Sequence, residues 1–163
     1  SSDLDVIVSV FPKSGSNWLM QMAVQIIYKG EAEFDHIHNL VAWPQAPLKE
    51  LIIPLDEPIY KQCPTNRRVI KSQFKYPENP YSEEAAYLTI LRDPKDTFVS
   101  MYHFINGIIG GMVDVYVPLD GMVNFILSEE SPICWAEHAA SWWGLRHKHN
   151  VCVLTFEDRK SVV

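Results

Sequence analysis

The stretch that decides the reading is VIVSVFPKSGSNWLMQMAVQIIYKG, residues 6–30. Val6 to Phe11 is a short, continuous, largely β-branched apolar run, the pattern of a strand buried on both faces. It stops at Pro12-Lys13-Ser14-Gly15-Ser16-Asn17. From Asn17 to about Lys29 the pattern turns helical, with Trp18, Met22 and Ile26 on one face and Gly30 as the stop. A strand, a turn of small residues and a helix start together make an anion site, because unpaired backbone N–H groups and the helix dipole converge there. Lys13 adds a compact positive charge. Alone, Lys-Ser-Gly fits equally well an ordinary strand–helix connection whose lysine is solvated. The Walker pattern G-x-x-x-x-G-K-[ST] is absent, the lysine precedes the glycine, and no aspartate marks a magnesium site. A nucleotide kinase or hydrolase on a related fold is therefore disfavoured.

Working outward, residues 31–66 carry prolines at 44, 47, 54, 58 and 64, which suits irregular loop with short helical turns. Arg68–Ser72 (RVIKS) reads as a second strand and Tyr87–Leu91 (YLTIL) as a third. The third runs into RDPKDTFVSMYHF, where Asp93 suits an N-cap, Pro94 the first helical position and Asp96 the positive end of the dipole. Leu119–Ser128 and Cys134–Lys148 are predicted helices, the second with Trp135, Ala139, Trp142 and Trp143 on one face; Val151–Phe156 (VCVLTF) is the last strand. Strands alternating with helices predict a parallel sheet covered on both faces, with ligands at the carboxyl ends of the strands. The loops after residues 11, 72 and 91 are where the chemistry is expected.

Bulk composition narrows the classes. The chain has 163 residues, 47% hydrophobic and 21% charged, enough for one compact α/β domain over residues 1–163. A net charge of −6 argues against nucleic-acid binding by general electrostatics. Cys63, Cys134 and Cys152 have no metal-like spacing and read as reduced, buried thiols of a cytoplasmic protein. No apolar run is long enough to span a bilayer, so no membrane association is expected, and no signal peptide is visible from Ser1 on. Oligomeric state is not legible here.

FPKSGSNWL resembles the 5′-phosphosulfate loop of the PAPS-dependent sulfotransferases, [YF]-P-K-[SA]-G-[TS]-[TN]-W. PAPS is 3′-phosphoadenosine 5′-phosphosulfate, and PAP is the 3′,5′-bisphosphate left after transfer. The resemblance implies that Lys13 contacts the phosphosulfate, that backbone N–H groups of Ser14, Gly15, Ser16 and Asn17 with the Ser16 hydroxyl hold the 5′-phosphate, and that Trp18 stacks on adenine. ILRDPKDTFVSMYHF resembles the family's 3′-phosphate motif, [VI]-x-R-[ND]-P-[KR]-D-x-x-x-S-x-Y-[HY]-F, which assigns Arg92 and Ser100 to that phosphate. Arg92 taken alone would read as an ion-pair partner of a nearby aspartate. CWAEHAASWW and VCVLTFEDRK resemble two further family segments, W-x-x-H-x-x-x-W-W and [LI]-x-[YF]-E-D-[LM]-K. They imply that Phe156 lies against the adenine and that His138 is a packing residue; Arg159 departs from the usual Leu or Met. The implied fold is a P-loop-like three-layer α/β sandwich, a central parallel sheet flanked by helices. The implied reaction moves the sulfuryl group to a hydroxyl or amine of a small acceptor, with Lys13 and Lys71 as cations at the transferred group and no metal required.

Two departures stand out. The family's catalytic histidine sits in K-[TS]-H-[LFW]-P, and IKSQFKYP places Gln73 there. Glutamine can orient a hydroxyl but takes no proton at neutral pH, and loss of a general base costs about 10²–10⁴-fold. Slowed transfer, or binding of nucleotide or a partner without transfer, are the two expectations that follow. His36, His38, a carboxylate or an acidic acceptor are the substitutes weighed, the two histidines being read as surface residues. The second departure is the ending KSVV, where relatives continue to R-K-G-x-x-G-x-W; the chain is expected to be incomplete at its C-terminus and to lack the dimerisation segment beyond. Phe34, Trp43, Pro44 and Tyr60 are candidate walls of an apolar acceptor pocket for an alcohol, phenol or steroid.

Overall fold

A computed structural model describes residues 5–46, 49–128, 131 and 134–157. Five strands run β1 (Asp5–Ser9), β2 (Val41–Ala42), β3 (Arg68–Ser72), β4 (Ala86–Leu91) and β5 (Val151–Thr155), in the sheet order β2-β3-β1-β4-β5. Every pairing is parallel, as the βαβ reading requires. The helices are α1 (Ser16–Ile27), α2 (Pro94–Phe104), α3 (Gly110–Val113), α4 (Leu119–Leu127) and α5 (Trp135–Gly144). Sheet, helices and their order match the α/β three-layer arrangement expected from the sequence.

The layers follow from the alternation of side chains along each strand. Val6, Val8 and Val10 point to one face and pack under Leu19, Met20, Ala23, Val24 and Ile27 of α1. Ile7 points to the other, where Tyr87 and Val151 meet Trp142 of α5. All of β1 is buried, which fits its central run Val6-Ile7-Val8 in place of an apolar–polar alternation. Its one acid, Asp5, is buried and paired with Arg68, its register partner on β3, at 2.5 Å. A third cluster, Phe11, Met101 and Met122, lies beyond the strand ends and ties α2 and α4 to the first loop.

Because β1 sits between β3 and β4, the chain leaves its carboxyl end toward one side of the sheet and later returns on the other. That is a topological switch point, where the loops after Phe11, Ser72 and Leu91 meet.

Several local expectations are corrected. The segment 31–66 does contain short helical turns at Ile37–Asn39, Lys49–Leu51 and Pro58–Gln62, but it also supplies β2 as an edge strand. His38 is buried, not a surface residue, while His36 is exposed. Cys63 is buried, whereas Cys134 and Cys152 are exposed. Within α5, Trp142 is buried but Trp143, one position on, is 48% exposed; adjacent helical residues cannot share one narrow face. The family resemblance at Asp158 and Arg159, and the terminal residues that follow, lie outside the described residues.

Candidate functional site

The first loop has an unusual backbone. Lys13 has φ 65 and Gly15 φ 109, so left-handed residues alternate with Ser14 between them, whose N–H donates to the Phe11 carbonyl at 3.1 Å. Gly15 is the N-cap of α1 and no side chain caps the helix. The first-turn N–H groups therefore have no intrahelical acceptor and open toward the loop's concave side. A Cβ on Gly15 would lie 3.1 and 3.2 Å from two ring carbons of Phe156, so the glycine also lets that ring close against the loop.

The second anchor locks onto the first. Arg92, at the end of β4, donates from Nη1 to the Lys13 carbonyl at 2.9 Å, and its guanidinium stacks on the Phe156 ring at 4.4 Å. Its Nε is buried and has no hydrogen-bond partner among the described residues. α2 begins beside it as the sequence requires: Asp93 accepts from the N–H groups of Lys95 and Asp96, and Pro94 opens the helix. One face of α2 then runs along the loop. Thr97 is buried with its hydroxyl 3.4 Å from that of Ser14, and Phe104 lies under the Lys13 ammonium, 4.1 Å from nitrogen to ring centroid. Ser100 is one turn on from Thr97 on this face, half-buried. Sequence reasoning missed Thr97; a threonine among motif positions left unspecified carries no signal of its contact.

The electrostatics follow from this crowding. Burial, and then the nearby Arg92 guanidinium, hold the Lys13 ammonium below its usual pKa. Among the described residues no ion pair includes Lys13, Arg92 or Lys71. Two cations that repel one another, beside helix-start N–H groups and with no carboxylate paired to either among the described residues, make a site suited to an anion.

Lys71 lies on the α1 side of β3, next to the segment that follows β2. Its ammonium sits 3.3 Å from the Trp43 ring centroid, and Trp43 stacks on His38 at 5.2 Å. Burial lowers the Lys71 pKa to about 8. The same burial, with Lys71 as the second cause, lowers that of His38. Gln73 lies instead on the α5 side. It lines a cavity of about 370 Å³ with Phe11, Pro12, Phe74 and His138. The loop that carries Gln73 is pinned to α5. The Phe74 carbonyl accepts from Ser9 Oγ at 2.7 Å and from Trp142 Nε1 at 3.2 Å, the Tyr76 N–H donates to Ser141 Oγ at 3.2 Å, and Lys75 pairs with Glu137. Gln73 and Pro12, the neighbour of Lys13, thus line one cavity, while the Lys71 ammonium rests on the Trp43 ring.

The expected acceptor walls are not brought together. Phe34 packs partly against the α1-side core, Tyr60 lines a different cavity beside Arg68, and Trp43 covers Lys71. Trp18 packs partly against the same core, and Phe156 joins it there while facing Gly15 and Arg92. Among the described residues no group of His, Cys, Asp and Glu has the geometry to hold a metal ion.

Comparison with known proteins places the whole chain among related sequences and folds. A family model described as "Sulfotransferase domain" matches residues 3–161. Mouse sulfotransferase 2B1 is 26% identical over 159 residues, covering 96% of this chain and 45% of that protein. Among solved structures, mouse sulfotransferase SULT7A1 complexed with PAP superposes with a TM-score of 0.66 at 22% identity, over 99% of this chain and 54% of that one. Retinol dehydratase in a complex with retinol and PAP superposes at 0.69 and 18% identity, over 99% of this chain and 57% of that one. The chain spans about half the length of the curated relatives it matches. With a family model covering nearly all of its length, the chain belongs to the sulfotransferase domain family.

Proposed function

We propose that this chain binds PAPS at the paired loops and transfers its sulfuryl group to the hydroxyl, or amine, of a small acceptor. The observation that carries the reading is the pair Lys13 and Arg92, two mutually repelling cations with no carboxylate partner among the described residues, set at a helix start whose N-cap is a bare glycine. The residues fit the nucleotide: Ser14, Gly15, Ser16 and Asn17 line the turn for the 5′-phosphate, and the buried, unpartnered Arg92 Nε with Ser100 suits the 3′-phosphate. Trp18 and Phe156 are the aromatic groups available to the adenine. PAPS supplies an activated sulfuryl group. Lys13 neutralises charge that builds on the bridging oxygen, and the preformed N–H groups need no reorganisation as it does so. Lys71 becomes a second cation at the sulfuryl group if Trp43 releases it.

The acceptor belongs to the cavity beside Gln73. At about 370 Å³, walled by Phe11 and Phe74, it lies at the small end of ligand pockets and suits a phenol or small apolar alcohol. A second reading, nucleotide binding without transfer, is favoured by Gln73 itself, which cannot act as a base.

The test is calorimetric titration of this chain and its Lys13→Ala variant with PAP and with 5′-AMP. PAP should bind at least about tenfold more tightly than AMP, since a charge-assisted contact contributes about 1.5–3 kcal/mol, and the variant should lose most of that binding. Equal affinities would sink the donor-site reading. Tight PAP binding with no sulfuryl transfer to any phenol would leave the second reading standing.

A further inference from the structure

His138 is a buried polar side chain whose place in the fold nothing so far explains. It is 3% exposed, and neither Nδ1 nor Nε2 has a hydrogen-bond partner among the described residues. A neutral imidazole carries one N–H donor and one lone pair, and buried polar atoms of native proteins are nearly always partnered. A purely structural histidine would have at least one of them satisfied. Here the ring lies edge-on to that of Phe11, at 5.9 Å between centroids. The same residue lines the cavity that Gln73 lines, and Pro12, the neighbour of Lys13, forms part of its wall.

We propose that His138, rather than any residue at position 73, takes the proton from the acceptor hydroxyl, while Gln73 orients that hydroxyl. This rests on the sulfuryl-transfer reading given above. An oxygen lone pair of the acceptor forms the new S–O bond, and the bond from sulfur to the bridging oxygen of PAPS breaks, its electron pair leaving with PAP. The hydroxyl proton passes to the free lone pair of His138 and from there to solvent.

The other bases near the site are committed. Glu137 and Glu78 line the cavity, but both bind Lys75, Glu78 at 3.5 Å. His38 stacks on Trp43 beside Lys71, away from this cavity, and His36 Nδ1 accepts from the His38 N–H at 3.3 Å. Among the described cavity residues, His138 holds the uncommitted nitrogen base. Burial lowers its pKa to about 4, so the ring is neutral and its lone pair available at pH 7. Such a weak base does not ionise a resting phenol. It accepts the proton once S–O bond formation has made the attacking oxygen strongly acidic. The loop that carries Gln73 is anchored to α5 by three separate contacts, so the two side chains are held across one cavity rather than meeting by chance.

The experiment uses the chain with ¹⁵N-labelled histidine, saturated with PAP and then titrated with 4-methylphenol. The His138 ring signals, assigned with His138→Gln, should be those of a neutral imidazole and should move on phenol addition. Single-turnover transfer from PAPS should fall about 10²–10⁴-fold in His138→Gln with 4-methylphenol. With 4-nitrophenol, which reacts as its anion, the fall should be below about tenfold, because no proton remains to be taken. Adding Gln73→His to the His138→Gln variant should recover part of the rate. Unmoved His138 signals in the PAP complex would overturn the proposal whether the phenol binds elsewhere or not at all. So would an equal loss across the phenols, which marks a packing role. Failure of PAP to bind appears before any phenol is added; it defeats the donor-site reading, and this inference falls with it.

Discussion

At φ 109, position 15 excludes ordinary side chains on conformational grounds, and the Phe156 ring excludes them on steric ones. Gly15→Ala should therefore cost about 1–2 kcal/mol for the left-handed backbone alone. It should also push Phe156 off the Arg92 guanidinium, so that urea unfolding shifts and PAP affinity falls together. His138 makes a different prediction. Its pKa is about 4 in the folded chain against 6.5 for a free histidine. Above pH 6.5 the ring is neutral in both states and stability does not depend on it. As pH falls below that value the unfolded chain binds a proton that the folded chain refuses, so stability declines until pH about 4, where the folded ring protonates too. The full loss is about 3 kcal/mol. His38, whose pKa is also lowered, acts in the same direction. Urea midpoints followed from pH 7 to pH 4 should fall less steeply in His138→Gln than in the parent chain; parallel curves would mean the ring titrates alike in the folded and unfolded chains.

At the scale of elements, the start of α2 is where local sequence and long-range geometry meet. Asp93 caps the helix and Arg92, its neighbour, reaches the Lys13 carbonyl across 79 positions of chain. Asp93→Ala should lower stability by about 1 kcal/mol, and because the cap sets the helix entry it should also weaken PAP binding; unchanged affinity would show that Arg92 is positioned by β4 alone. The strand–turn–helix at residues 5–27 was legible because each of its signals is local: a β-branched run, a small-residue turn, a helical period. Arg92 and Ser100 were singled out because one continuous stretch, ILRDPKDTFVSMYHF, resembles a family motif. The clasp between the two motifs was not, since nothing in either stretch encodes a bond from Arg92 to a backbone carbonyl or from Thr97 to Ser14. β2 was missed because a strand of two residues has no period to detect. Cys134 and Cys152, unlike Cys63, were misjudged because residue type reports average burial, whereas β5 exposes Cys152 at the sheet's edge. Alkylation of the native chain with iodoacetamide should accordingly label Cys134 and Cys152 rapidly and spare Cys63 until unfolding.

For the whole molecule, the site is a seam among three loops, so a ligand that bridges them should stiffen the fold. PAP at 100 times its dissociation constant contributes about 2.7 kcal/mol, which for a chain of this size raises Tm by about 5–10 °C; Lys13→Ala should abolish the rise. The lowered pKa of Lys71, about 8, and that of Lys13 add a proton signature. Lys71 gives up part of its charge as pH rises past 8, burial and the Arg92 guanidinium make Lys13 release its proton more readily than a free lysine, and a bound bisphosphate draws protons back. Binding at pH 8 should therefore take up protons, seen as a dependence of the heat on the buffer's ionisation enthalpy, and should weaken at higher pH. The three-layer fold and the location of the seam were readable from alternating strands and helices. The cavity was not, because its walls come from the first loop, the β3 end and α5, segments that only the completed sheet brings together.

The placement of β1 also shapes how the molecule is made. On the ribosome this strand emerges before either of its neighbours, and its pairing with β3 spans 63 residues at the Asp5–Arg68 contact. With parallel neighbours on both sides and no hairpin to hold it, this strand, buried along its whole length in the fold, has to wait, unpaired, for much of the chain to be synthesised. A nascent chain halted before β4 should thus be bound by chaperones, and release should coincide with the arrival of Ala86–Leu91.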